Sequence, residues 1–139
     1  MNLIIKQKKF NPLDIFIIDY VIPELYRLFY LNLNPYLLKN WDEYFESIYK
    51  WEEEDTPKLT LEILLCGIKN LRLMEMGGDY IITIDSNQNM PGTTAKLYDL
   101  CSLINYGNLE MPPYPIFEDT FKQIKPIIPL LFEEYTENL

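Results

Sequence analysis

No histidine occurs anywhere in the 139 residues of this chain. That absence removes the commonest general base, the commonest metal ligand and the base of a standard nucleophile triad, so most hydrolytic schemes fail at the first step. Cysteine is nearly absent too. Cys66 and Cys101 stand alone, without a CxxC pair or a spaced His, which argues against a zinc site or a disulfide framework and predicts two buried thiols. Glycine is scarce, with five residues, and neither GxxxxGK[ST] nor GxGxxG is present. Gly77-Gly78 reads as a turn rather than a phosphate cradle. Carboxylate pairs such as Asp14 with Asp19, or Glu52 with Asp55, have the chemistry for acid–base or Mg²⁺ work, but their amphipathic or terminal settings fit a solvated face better. The chain therefore reads as a non-enzyme, with no catalytic residue, no metal site and no cofactor expected.

Long apolar runs are missing as well. Asp14, Asp19, Glu24 and Arg27 interrupt the most apolar region, far short of the roughly 20 residues a membrane span needs, so no membrane is expected. Lys6, Lys8 and Lys9 follow a short apolar start, the reverse of a secretory signal, which predicts synthesis and function in the cytoplasm. Basic residues are outnumbered by 12 to 21, for a net charge of −9. Tight nucleic-acid binding is not expected from such a surface, because phosphate affinity comes from clustered Lys and Arg. The charge suits an assembly subunit, a passage through which DNA slides without sticking, or a mimic of DNA.

What is present is the makeup of a globular chain: 48% hydrophobic and 24% charged residues, with 11 Tyr, 7 Phe and 2 Trp, at a length that suits one domain over residues 1–139. Asn11-Pro12 opens a predicted helix with an apolar stripe at Ile15, Ile18, Ile22, Leu25 and Phe29, which Pro23 should kink. Asn34-Pro35 marks a boundary, and Asn40 with Glu43 resembles a capping box opening a second helix through Trp41, Tyr44, Phe45 and Ile48. The acidic run Glu52 to Asp55 closes it near Thr56-Pro57. Residues 58–70 fit both a strand and a helix; a helix through Leu61, Leu64, Leu65 and Ile68 is preferred. Leu71 to Met76 and Tyr80 to Ile84 flank Gly77-Gly78-Asp79 as a hairpin. Ser86 to Thr93 is a projecting loop, Thr94 caps a helix that Gly107 stops, and Pro115 starts a last helix that Pro126 and Pro129 bend or end. The fold class is α+β: a small antiparallel sheet built on a central hairpin, with helices packed on one face and a helical part over residues 1–56.

The second part, residues 57–139, resembles the tail-completion or head–tail joining family of bacteriophage neck proteins. Members carry a Pro and a Thr-Gly-x-Leu-x-x-Ser-Ile motif before a hairpin, a helix ending in Glu-aromatic-Gly-Thr, and a Pro-x-x-Pro-aromatic loop leading into a C-terminal helix. Pro57, Thr60 and Ile68 match the first element, Leu71 to Asp85 the hairpin, Asn105-Tyr106-Gly107-Asn108 the helix end, and Pro112-Pro113-Tyr114-Pro115-Ile116-Phe117 the loop. Leu61 stands where the family has Gly, Gly67 where it has Ser, Asn105 where it has Glu and Asn108 where it has Thr.

The resemblance implies a virion protein made in the host cytoplasm, forming a homo-oligomeric ring between portal or adaptor and tail proteins, through which DNA passes. A ring needs two different complementary patches on each subunit. The candidate interface residues are Tyr106, Gly107, Pro113, Tyr114, Pro115 and Phe117, with Met90 and Pro91 of the preceding loop, because proline restricts the backbone and aromatic side chains anchor interfaces. The alternative is an acidic inhibitor or DNA mimic that blocks a host nucleic-acid-binding or defence protein, which Glu52 to Asp55 and the net charge favour.

Overall fold

The computed structural model describes residues 1–6, 14–49 and 60–139. The expected Asn11-Pro12 cap, the Glu52 to Asp55 run and the Thr56-Pro57 helix end lie outside the described residues. Three strands, Leu3–Lys6 (β1), Leu71–Met76 (β2) and Asp79–Ile84 (β3), form one sheet in the order β1-β3-β2. The hairpin between β2 and β3 forms where expected. Gly77 and Gly78 take φ of 59° and 85°, the two positive values that a two-residue type I′ turn requires and that glycine adopts without strain.

The first strand was not foreseen, since four residues are too few to show a period. It pairs antiparallel with β3, Leu3 opposite Ile82 and Ile5 opposite Tyr80, with Ile4 opposite Ile81 and Lys6 opposite Asp79 between them. Alternation does the rest. Leu3, Ile5, Tyr80 and Ile82 are buried on one face, while Ile4 is half-exposed on the other. On the buried face the Tyr80 hydroxyl donates to the Asp14 carboxylate, and this bond, ahead of burial, pushes the phenol above its ordinary value. A helical chain with a small antiparallel sheet is the α+β class expected.

The chain folds as two compact units, each drawn from segments on both sides of residue 57: residues 1–33, 73–83 and 116–139 form the first, and residues 34–72 and 84–115 the second. In the first unit, Asp14–Phe16 (α1) runs into a π-helical turn over Ile17–Val21 and then into Ile22–Asn32 (α2). The Ile22 N–H bonds the carbonyl of Ile17, five residues back. Pro23 explains the widening: its ring would collide with the carbonyl four residues earlier and it has no N–H to give, so the preceding turn opens. The expected stripe is corrected accordingly. Phe16, Ile17, Val21, Leu25, Leu28 and Phe29 are buried, whereas Ile15 and Ile18 are 60% and 55% exposed.

Phe29 stacks edge-on against Phe117 and Phe121 of Ile116–Ile124 (α6), with ring centroids 5.1 and 5.9 Å away. Asn32 Nδ2 donates to Thr120 Oγ1 and Gln123 Oε1 at 2.9 Å each, fixing the end of α2 on the same helix. Pro126 and Pro129 act as expected: α6 stops at Ile124 and Ile128–Glu137 (α7) begins afresh with Pro129 in its first turn, where the missing N–H costs nothing. Phe16 meets Phe132 and Tyr135 of α7 at 5.3 and 5.5 Å.

In the second unit, Pro35–Tyr49 (α3) starts five residues before the expected Asn40. Asn34 is the cap, its Oδ1 accepting the Tyr36 N–H at 3.0 Å, and Pro35 fills the first helical position; Asn40 lies within the helix. Thr60–Lys69 (α4) settles the ambiguous segment as a helix, burying Ile63, Leu64 and Ile68 while Leu61 faces out. Its Thr60 N–H is taken by the Asp42 carboxylate of α3 at 2.6 Å, a cap supplied from 18 residues away. Leu97–Tyr106 (α5) packs on α4 and begins later than Thr94 predicted. Residues ahead of it are engaged elsewhere: Thr93 Oγ1 bonds Met90 O and the Ala95 N–H, Asn89 bridges Lys96, and Leu97 N–H bonds Gln88 O. The Ser86 to Thr93 loop therefore folds back on itself instead of projecting, and Met90 plugs into the interior.

The shift of the α1–α2 stripe has a direct consequence for stability. Ile17→Ala should cost about 2–4 kcal/mol, as for other buried aliphatic truncations, while Ile18→Ala should change stability by less than about 0.5 kcal/mol. Urea unfolding of the two variants reads the difference, and equal losses would restore the simple periodic stripe.

Candidate interaction loop

The segment after α5 is held by its backbone at every turn. Gly107 ends the helix with its N–H on the Leu103 carbonyl at 2.8 Å and φ of 73°. A Cβ there would stand 2.6 Å from Pro113 N, 2.7 Å from Met111 O and 3.0 Å from Pro112 C, so both the backbone angle and the space demand glycine. Asn108 then organises the loop: its Oδ1 accepts the N–H groups of Glu110 and Met111 at 2.8 Å each, its own N–H bonds Met111 O, and its Nδ2 donates to the Tyr44 hydroxyl at 2.7 Å. Such an Asx turn suits asparagine, whose side-chain carbonyl can accept backbone N–H groups two and three residues on. The loop returns when Tyr114 N–H bonds Ile104 O, and the Tyr114 hydroxyl accepts the Asn34 N–H at 2.7 Å.

Between these anchors Leu109 stands at 106% of its reference exposure, and Tyr106, the last residue of α5, is 50% exposed. Pro112, Pro113 and Pro91 are exposed, and Gly107 and Pro115 are partly so. Tyr114, Met90 and Phe117 are not available. Tyr114 is buried in the second unit, and burial pushes its phenol up, the Asn34 bond working the other way. Met90 is buried in the same unit, and Phe117 belongs to the interior of the first, against Phe29. The expectation that these three anchor a partner is corrected: they are apolar enough for an interface, but their own folds use them first. The outward side chain that sequence reasoning missed is Leu109. Its signal was the lack of any periodic apolar partner, in a stretch between the turn-forming Asn108 and Pro112.

What this surface offers is contact. Leu109 and Tyr106 are presented on a backbone already fixed by hydrogen bonds, so docking them costs little further ordering entropy. Among the described residues, no cluster of three or more His, Cys, Asp or Glu is arranged to hold a metal ion. Both cysteines are free. Burial pushes the Cys101 thiol far up, and it is spent on the Ile63 carbonyl at 3.7 Å. Burial raises the Cys66 thiol as well, so neither is a ready nucleophile. No described helix is long and apolar enough to cross a membrane. Scans against protein-family models, characterised proteins and solved structures each find no match to this chain.

Two measurements probe the lock. Gly107→Ala should lose at least about 1–3 kcal/mol, the range for overpacking, because the added carbon meets backbone atoms that have no flexible end to yield. Tyr114→Phe should lose about 1 kcal/mol at neutral pH by orphaning the Asn34 N–H. The neutral phenol is the form the fold favours. Its contribution is therefore full below the ordinary phenol value of about 10 and is lost as pH rises through the folded value. Urea titrations at neutral and strongly alkaline pH should show a smaller alkaline loss in Tyr114→Phe than in the parent; an unchanged alkaline limb would remove Tyr114 from it.

Proposed function

We propose that this chain is a structural virion protein of a tailed bacteriophage, a head–tail connector or tail-completion subunit of the neck that joins its own copies in a ring between portal and tail. The observation that carries the reading is the loop after Gly107. It is the stretch where the neck-family motif order, the rigid backbone and the exposed apolar side chains coincide. A ring contact fits one patch of each subunit to a different patch of the next. Leu109 and Tyr106 are its natural anchors, with Pro113 and Pro91 as rigid flanks. The net charge of −9 suits a passage that DNA crosses without adhering. The rival reading, an acidic inhibitor, leans on the net charge and on Glu52 to Asp55, a run outside the described residues.

Electron microscopy of particles made with Leu109→Ser and Tyr106→Ser is the test. The expected outcome is loss of the ring density at the head–tail junction, with the circular dichroism of the parent retained and, for Leu109→Ser alone, a melting temperature close to that of the parent, because the Leu109 side chain is fully exposed. Particles that lack this chain altogether would sink the neck reading. A normal ring with both substitutions would move the contact away from this loop.

A further inference from the structure

β2 is an edge strand: nothing pairs beyond it among the described residues. Met74, Glu75 and Met76 are exposed and Leu73 is half-buried. The two-residue turn makes Met76 and Asp79 a hydrogen-bonded pair, so Met76 and Met74 point their backbone groups at β3. Leu73 and Glu75 point theirs outward. No backbone bond from either reaches another part of the described chain. The turn also sets Met74 opposite Ile81, which is opposite Ile4. An apolar row thus crosses the open face of the sheet, with Met74 and Ile4 44% and 49% exposed, and reaches the free edge.

We propose that β2 pairs antiparallel with β2 of a second copy of this chain, about a two-fold axis through Met74, joining two three-stranded sheets into one of six strands. The register is self-complementary. Residues 73 and 75 of one copy face 75 and 73 of the other, so the outward N–H and C=O groups of Leu73 and Glu75 answer each other with four hydrogen bonds. Met74 meets its own counterpart across the axis and makes the Ile4–Ile81–Met74 row continuous over both copies. Charge fits as well: Arg72 lies over Met76 of the other copy, on the side of the Asp79 carboxylate, and no like charges stand directly opposite. The two Glu75 carboxylates lie diagonally across the axis in solvent, where salt screens them. Edge strands without such partners invite pairing, and β2 carries no proline to prevent it. This contact is isologous and stands whether or not the chain also joins a ring.

Sedimentation equilibrium of the full chain, with cysteine cross-linking, tests it. The parent should sediment as a dimer. Glu75→Pro removes an outward N–H and no bond to β3, a substitution that edge strands tolerate; it should give a monomer with unchanged circular dichroism. In a Cys66→Ser background, Met74→Cys should form an intermolecular disulfide on mild oxidation, because a non-hydrogen-bonded pair brings Cα atoms to about 4.5 Å. Met76→Cys should not, since four residues of strand separate the two copies along the axis by about 14 Å. A monomeric parent, a Glu75→Pro dimer, or equal cross-linking at 74 and 76 would overturn the proposal. None of these results bears on the neck reading, which is decided in assembled particles.

Discussion

At residue 107 three backbone atoms, from Met111, Pro112 and Pro113, lie within 3.0 Å of where a side chain would begin. The loop of the second unit depends on that approach. It lets the chain leave α5 and turn back tightly enough for Tyr114 to reach the Ile104 carbonyl and the Asn34 N–H. The closed loop in turn holds Asn108 where its side chain serves Glu110, Met111 and Tyr44 together. Only with both ends fixed does the tip become a rigid presentation of Leu109, rather than a segment that must be ordered at each encounter.

Legibility in the sequence followed the kind of signal. Gly107, Gly77-Gly78 and the Asn34-Pro35 boundary were readable because each is a local steric requirement that few residue types meet. The hairpin followed from its turn. The α1–α2 stripe was misplaced because a π turn ahead of Pro23 changes which side chains share a face, and a period of 3.6 does not anticipate an inserted residue. Asn40 with Glu43 imitated a capping box inside a helix that was already capped at Asn34, where the proline-marked start was the better signal. Thr94 does not cap α5, because the Thr93 turn and the Asn89–Lys96 bridge carry the chain on to Lys96, which stands at the cap without a side-chain bond.

At the candidate site, composition singled out side chains that the fold buries. Aromatic and proline residues do gather between Tyr106 and Phe117, but aromatic side chains serve interiors as readily as interfaces. The large ones, Tyr114 and Phe117, are drawn inward by the apolar area they can bury, about 25 cal/mol for each Å² removed from water. Leu109 escapes because the Asx turn at Asn108 and the prolines that follow set its direction before packing can. Turn chemistry outranks hydrophobicity there, and the result is a leucine in water.

An exposed leucine on a fixed loop and an exposed edge strand are different kinds of surface. In the reading proposed above, the loop would act through Leu109 and Tyr106, selecting a partner by shape and apolar area, and a heterologous arrangement would close it into a ring. The β2 edge acts through backbone groups that every residue carries, so its selectivity must come from register: which pairings leave no charge buried and no donor unanswered. Its outward donors at Leu73 and Glu75 are matched best by the same two residues on another copy. The two surfaces are built on separate elements, the loop after α5 and the strand before the Gly77-Gly78 turn.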